Sequence, residues 1–373
     1  MSHSVSVVSA PPAPSASPLS PATASSEPRD TDGFRSSGQS PGRRSLHLVG
    51  PGAVGRAFLR QLADVPVNVV AVTDSSGTVF DRAGLPLEAI AAHKEAGRPL
   101  SAWPGAEALP TDFAVTIVNA EIVVDATPST SAGTADAVLR GRNALRNRAV
   151  LVLCAKNALA AAAPEWLLGS AGRAGRVGID AVLGGAGSSL VRELDELRAH
   201  CVGLAIVGNV TTSAIVDAIE RGASLDGGIA AAREAGLLEP DPTLDLDGSD
   251  AAVKLLAVWG AVFGETAAEQ PSLAAVLRQD VRSLDPDLLR ERARRGVTTR
   301  LVGRGSRGGA DLRVAFEEVR AGSPLAAPPD RVVYGYELPS GLRVHTGLAV
   351  GHQRTAAALV DDVRRLLRAE VRS

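Results

Sequence analysis

Short apolar runs alternate with helix-like stretches from Ser45 onward. "SLHLV" leads into the glycine-rich "GPGAVG" and then the helical "RAFLRQLADV". "VNVVAVTD" is a second strand, and "EIVVDAT" and "AVLVLC" flank the helical "SAGTADAVLRGRNALR". Continuous apolar strands separated by helices predict a parallel sheet with right-handed crossovers. "RVGIDAVL" leads out of this region. The following pattern is less regular, with helices expected at 211–221, 224–235, 250–263 and 285–295. Then come antiparallel runs "TTRLVGR", "DLRVAFEEV", "RVVYGYEL" and "GLRVHTGLAV", the first two joined by a glycine-rich turn. An amphipathic stretch, "TAAALVDDVRRLLRAE", comes last.

The expected fold class is α/β. A Rossmann-type doubly wound parallel sheet spans 45–182. A second, α+β catalytic and dimerisation domain spans 183–345, and the helical stretch of 346–373 packs back near the first. Residues 1–44 are Ser, Pro and Ala with few bulky apolar groups, so this tail is expected to be disordered.

Composition removes several function classes. The net charge of −2 gives no general attraction to nucleic acid or to an acidic membrane. The arginine run at 290–295 is broken by Glu291 and reads as a solvated helix face. No apolar run approaches the ~20 residues of a membrane span, and the N-terminus lacks a secretory pattern. Cys154 and Cys201 do not make a disulfide framework and read as buried small residues. The chain is read as cytoplasmic.

Gly50, Gly52 and Gly55 form G-x-G-x-x-G between a strand and a helix. The first permits a tight turn, the second lets backbone approach a pyrophosphate, and the third lets helix and strand pack. Ala53 and Val54 lie in the same turn, whose helix N-terminus offers N–H groups to phosphate. Asp74, 19 residues beyond Gly55, is expected to accept from the adenosine ribose. Ser75, Ser76 and Gly77 follow it with no arginine, so the cofactor is NAD or NADP, with a lean toward NAD.

The other chemical run is "EPDPTLDLDGSDAAVK", Glu239 to Lys254. Pro240 and Pro242 keep its start non-helical, Gly248 and Ser249 permit a turn and cap, and Asp250 and Lys254 share one helix face at i, i+4. The sequence has only three lysines (Lys94, Lys156 and Lys254) among 39 basic residues. A lysine kept at the end of an acidic run suggests that amine acid–base chemistry is needed, which arginine does not supply.

With these motifs and "VVDATPST", the chain resembles the homoserine dehydrogenases over about 46–363. The resemblance implies NAD(P)-dependent reduction of L-aspartate 4-semialdehyde to L-homoserine, an amino-acid substrate and a homodimer. It implies substrate contacts from Glu239, Asp245, Asp250 and Thr211, proton transfer by Lys254, and a cofactor border that includes Thr127 and Gly351. Alternatives are the same chemistry on another small amino acid aldehyde or alcohol, or a non-catalytic dinucleotide-binding sensor. No appended threonine-responsive domain is expected.

Four departures fall near the substrate. Lys156 and Asn157 transpose the family's Asn-Lys pair, so either Lys156 reaches the reaction centre from one position earlier or the second lysine function is lost. Asp180, Gly187 and Ser188 replace a glutamate and an Ile/Leu-Pro where the family can hold a monovalent cation; no metal is assigned here. Val210 replaces a glycine in "NVT". "GLAVG" (347–351) replaces a Gly-Pro-Gly-Ala-Gly, while Thr355 and Ala356 match.

Overall fold

The computed structural model describes residues 43–370 apart from 110, 239–241, 310 and 349–350. The tail expected over 1–44 therefore lies outside the described residues but for its last two, and Arg44 already opens the first strand.

Six strands form the first sheet: β1 (Arg44–Val49), β2 (Val67–Asp74), β3 (Gly77–Phe80), β4 (Ile122–Asp125), β5 (Val150–Leu153) and β6 (Val177–Gly178). Their spatial order is β3-β2-β1-β4-β5-β6. β2, β1, β4, β5 and β6 run parallel, as the alternating pattern predicts. β3 is an antiparallel addition after the tight Asp74–Gly77 turn. The order reverses between β1 and β4, the place where a parallel sheet of this kind opens a crevice at its strand ends.

The second sheet holds β7 (Gly203–Val207), β8 (Leu277–Arg278), β9 (Val297–Ser306), β10 (Arg313–Arg320), β11 (Arg331–Leu338) and β12 (Gly341–Leu348). Its order is β12-β11-β7-β9-β10-β8, antiparallel except for the short β10–β8 pairing. β9 to β12 match the four runs read from the sequence. β7 does not appear among them, although it lies between β11 and β9. All five of its residues are buried, so it shows no polar alternation to mark it. The helix Gly187–His200 was likewise not foreseen.

The helix Gly351–Glu370 completes the first sheet's core. Ala356, Leu359, Val360, Val363 and Leu366 are all at most 2% exposed and join a cluster with Leu46, Leu48, Val124 and Val152. The helix Ser249–Val262 is buried along nearly its whole length and packs against the helix Lys156–Ala163 and against β9. The first turns of those two helices carry the chemistry described next.

Candidate active site

Each glycine of the cradle has its own physical reason. Gly50 has φ +90°, and a Cβ there would meet the backbone of Ala126 and Thr127 at 2.7 Å. A Cβ on Gly55 would lie 2.3 Å from the Gly50 carbonyl, so turn and helix could not close. A Cβ on Gly52 would meet nothing within 4 Å; there the backbone faces open space, as a phosphate cradle needs. Beside it Thr127 is fixed by its N–H and hydroxyl, both donating to Asp125 Oδ1, and by a 2.9 Å hydrogen bond from Arg140. Arg140 also forms a buried pair with Asp125 at 3.0 Å.

One cleft of about 2020 Å³ runs from this cradle to the acid–lysine cluster. Gly50, Gly52, Ala53, Val54, Thr127 and Gly351 line it, as do Lys156, Thr211, Asp245, Asp250 and Lys254. The structure thus brings most of the sequence-derived site residues to one surface. Gly55 packs behind the turn instead. Glu239 lies outside the described residues.

Asp74 departs from its expected role and is not among the cleft-lining residues. Its Oδ1 accepts from Ser76 N, Ser76 Oγ and Gly77 N, and its Oδ2 accepts from Leu100 N and from Lys94 Nζ at 2.5 Å. Burial pushes this carboxyl up, but Lys94 and the Ser76 and Leu100 donors outweigh it and hold it at about 2. A carboxylate offers roughly four acceptor positions, so this one has none left for a ribose.

At the other end of the cleft, Asp250 is the hub. Lys156 Nζ donates to its Oδ1, and Lys254 Nζ (2.9 Å) and Asn209 Nδ2 (3.2 Å) donate to its Oδ2. Lys254 is 7% exposed and also donates to the Gly208 carbonyl at 2.5 Å. Burial raises the Asp250 carboxyl, yet the two ammonium groups reverse this and hold it well below the usual carboxylate range. Burial lowers Lys254 below an ordinary lysine, against the pull of Asp250 and with the help of Lys156. Lys156 goes the other way: burial would lower it, but Asp250 outweighs burial and raises it. The transposed lysine thus does reach the cluster, from the first turn of its helix. Its backbone N–H is held by Ser129 Oγ at 2.8 Å.

Asp245 sits on the short helix Thr243–Leu246, so the acidic run is not extended throughout. Burial, then the charge of Asp250, pushes its carboxyl up to about 6. The cap of the following helix also differs from expectation. Gly248, in the left-handed region at φ +79°, is its N-cap, and Asp247 rather than Ser249 supplies the oxygen, accepting from Ser249 N at 2.8 Å. Thr211 donates its hydroxyl to the Leu237 carbonyl at 2.8 Å. Val210 lines the cleft.

The altered loops close the far wall. Asp180 Oδ1 accepts from Ser188 N, and its own N–H donates to Asp362 of the last helix at 2.7 Å. A Cβ on Gly347 would lie 1.9 Å from the Gly184 carbonyl, so this strand end must stay glycine. Cys154 faces the same cleft, but burial pushes its thiol up to about 11, far from a thiolate nucleophile.

Residues 193–363 match the sequence model of homoserine dehydrogenase, and 35–156 match that of the glutamate/leucine/phenylalanine/valine dehydrogenases. The homoserine dehydrogenase of Methanocaldococcus jannaschii is 28% identical over 85% of this chain and 96% of its own length. The chain is thus similar to the homoserine dehydrogenases over most of its length. Two solved homoserine dehydrogenases share the fold. A hyperthermophilic archaeal one in complex with NADPH matches at 22% identity, 87% of this chain, 98% of that chain and a TM-score of 0.67. One from Thiobacillus denitrificans matches at 21% identity, 89% of this chain, 74% of that chain and a TM-score of 0.66. Within this site, Asn209 is the residue whose role went unread. The signal for it was present: Asn209 lies three residues before Thr212, the spacing of a helix N-cap.

Proposed function

We propose that Lys254 transfers the proton in an NAD(P)-dependent homoserine dehydrogenase reaction, with Asp250 and Lys156 setting its charge environment. The chain is an oxidoreductase acting on a CH–OH group, and it interconverts L-aspartate 4-semialdehyde and L-homoserine. The observation that carries the site reading is the single cleft holding both the glycine cradle and the Lys156–Asp250–Lys254 cluster.

Gly50, Gly52, Ala53 and Val54 would hold the pyrophosphate, and Thr127 and Gly351 would border the dinucleotide. The reduced nicotinamide supplies hydride when bound. The chain supplies the rest. Asp245, with Thr211 beside it, receives the substrate's ammonium. Lys254 gives its proton to the aldehyde oxygen in reduction and takes one from the hydroxyl in oxidation. Its lowered proton affinity suits both directions better than an unperturbed amine would. Lys156, held protonated by Asp250, offers fixed positive charge to a developing alkoxide.

The direct test mixes purified protein with homoserine and NAD or NADP and follows absorbance of the reduced cofactor. Cofactor binding without turnover on homoserine or a related amino alcohol would favour a sensor and sink the catalytic reading. Among the described residues no helix is long and apolar enough to cross a membrane. A cytoplasmic homodimer is the expectation from the resemblance, and light scattering of the purified protein tests the dimer.

Two further outcomes follow. With Asp245 titrating at about 6, the ammonium receptor is ionised above that pH and neutral below it. Homoserine KM should therefore rise about tenfold per pH unit below it, and Asp245→Asn should remove this limb. A KM flat from pH 5 to 8 (roughly one unit below to two above) would contradict the receptor role. For Asp74→Asn, the lost bonds to Lys94 and the turn should cost about 1–3 kcal/mol in urea unfolding. The NADP:NAD ratio of kcat/KM should move by less than about threefold, because this carboxylate does not face the cofactor.

A further inference from the structure

Asn209 is 2% exposed and forms hydrogen bonds in two directions. Its Oδ1 accepts from Thr212 N at 2.8 Å and caps the helix Val210–Glu220. Its Nδ2 donates to Asp245 Oδ1 at 3.1 Å and to Asp250 Oδ2 at 3.2 Å. An asparagine amide has two N–H donors, so both are used. The amide orientation is forced, because the opposite one would aim its oxygen at two carboxylates and its NH₂ at a backbone N–H. One side chain therefore ties the acidic loop to the lysine-bearing helix across separations of 36 and 41 residues.

We propose that Asn209 is a positioning residue: its amide fixes the spacing between Asp245 and Asp250 and so sets how tightly the substrate's ammonium is gripped. This rests on the reading of Asp245 as the ammonium receptor. Asp245 faces Asp250 and Lys254 on the helix Ser249–Val262, Lys156 on the helix Lys156–Ala163, and Asn209 itself. Burial and Asp250 favour its neutral form, while Asn209 and the two lysines favour the ionised form. Without the Asn209 donor, the buried Asp245 loses a hydrogen bond that favours its ionised form while Asp250 still faces it, and it holds its proton to higher pH.

Two substitutions separate capping from positioning. Asn209→Ser keeps a capping oxygen, carries no charge and is too short to reach the carboxylates. Asn209→Asp keeps the cap and puts a third carboxylate against the first two. Asn209→Ser should stay folded with a modest loss of melting temperature from the two missing amide bonds, and Asn209→Asp should melt lower and is assayed below its transition. In Asn209→Ser, homoserine KM at pH 7 should rise about tenfold, more than kcat falls, and the acid limb of kcat/KM should move upward. Asn209→Asp should move that limb further. A wild-type KM and acid limb in both folded variants would overturn the proposal. So would loss of melting temperature, kcat and KM together in Asn209→Ser, which would mark a purely structural residue. A readout independent of turnover is ¹³C-carboxylate NMR, with Asp245 assigned by its loss in Asp245→Asn. Its titration should shift upward in Asn209→Ser, and an unshifted titration would also overturn the proposal. If wild type neither turns over nor binds homoserine, the functional reading fails, and the NMR result still decides what Asn209 does.

Discussion

Lys254→Ala should lower kcat for homoserine oxidation by about 10²–10⁴, the range for losing a positioned general acid–base group. The effect is expected in kcat, because the proposed site assigns substrate affinity to Asp245 and cofactor affinity to the glycine turn. The variant should fold. Asp250 keeps its pairing with Lys156 and its bond from Asn209, so no buried carboxylate is stranded. Lys254→Arg is the sharper companion. It preserves positive charge beside Asp250, but a guanidinium does not give up its proton near neutrality. It should be as inactive as the alanine variant, although arginine replaces lysine almost everywhere else in this sequence. A Lys254→Arg enzyme within about fivefold of wild type would mean that charge, not proton transfer, is what this position contributes. Cofactor affinity measured by calorimetry in both variants keeps a folding defect from passing as a catalytic one.

Asp250→Asn should produce the largest loss of stability of any single change in the cleft. The wild-type carboxylate is shared by two buried or half-buried ammonium groups and one amide. Removing it strands two like charges that already disfavour each other, a loss of about 3–5 kcal/mol by analogy with broken buried pairs. Urea unfolding measures this directly. The pH dependence has a definite sign. A carboxyl whose folded pKa is depressed contributes stability that is present above its unfolded value of 3.8 and is lost as pH falls through the folded value. The gap between wild type and Asp250→Asn should therefore be full near pH 7 and shrink as the solution is made acid below about 4. A gap that is small, or that grows in acid, would contradict the hub. Turnover should fall with Asp250→Asn as well, because Lys254 then loses the carboxylate that anchors its amine.

The sequence made the parallel sheet legible because its strands are buried on both faces and read as unbroken apolar runs bounded by turns. The same property hid β7. A five-residue buried strand between the helices Gly187–His200 and Val210–Glu220 carries no alternation, and its place between β11 and β9 depends on pairings 97 to 134 residues away. Within the site, the Asp250–Lys254 pair was legible because helical spacing alone puts i and i+4 on one face. The glycine turn was legible because only glycine permits its conformation and close approaches. Lys156 was ambiguous for the opposite reason. Its partner Asp250 lies 94 residues away, and one position along a helix turns a side chain by about 100°. Only the packing of the helix Lys156–Ala163 against the helix Ser249–Val262 decides which way it points.

The sequence by itself determined the glycine-rich turn, the alternating α/β order and the lysine that closes the acidic run, all of which follow from steric rules and spacings within a few residues. Tertiary structure decided that Lys156 joins Asp250, that Lys94 and the Ser76 turn claim Asp74, and that Asn209 spans two carboxylates. The reason is physical: charge and hydrogen-bonding states belong to pairs, and burial decides their strength. Neither quantity exists until distant parts of the chain have met.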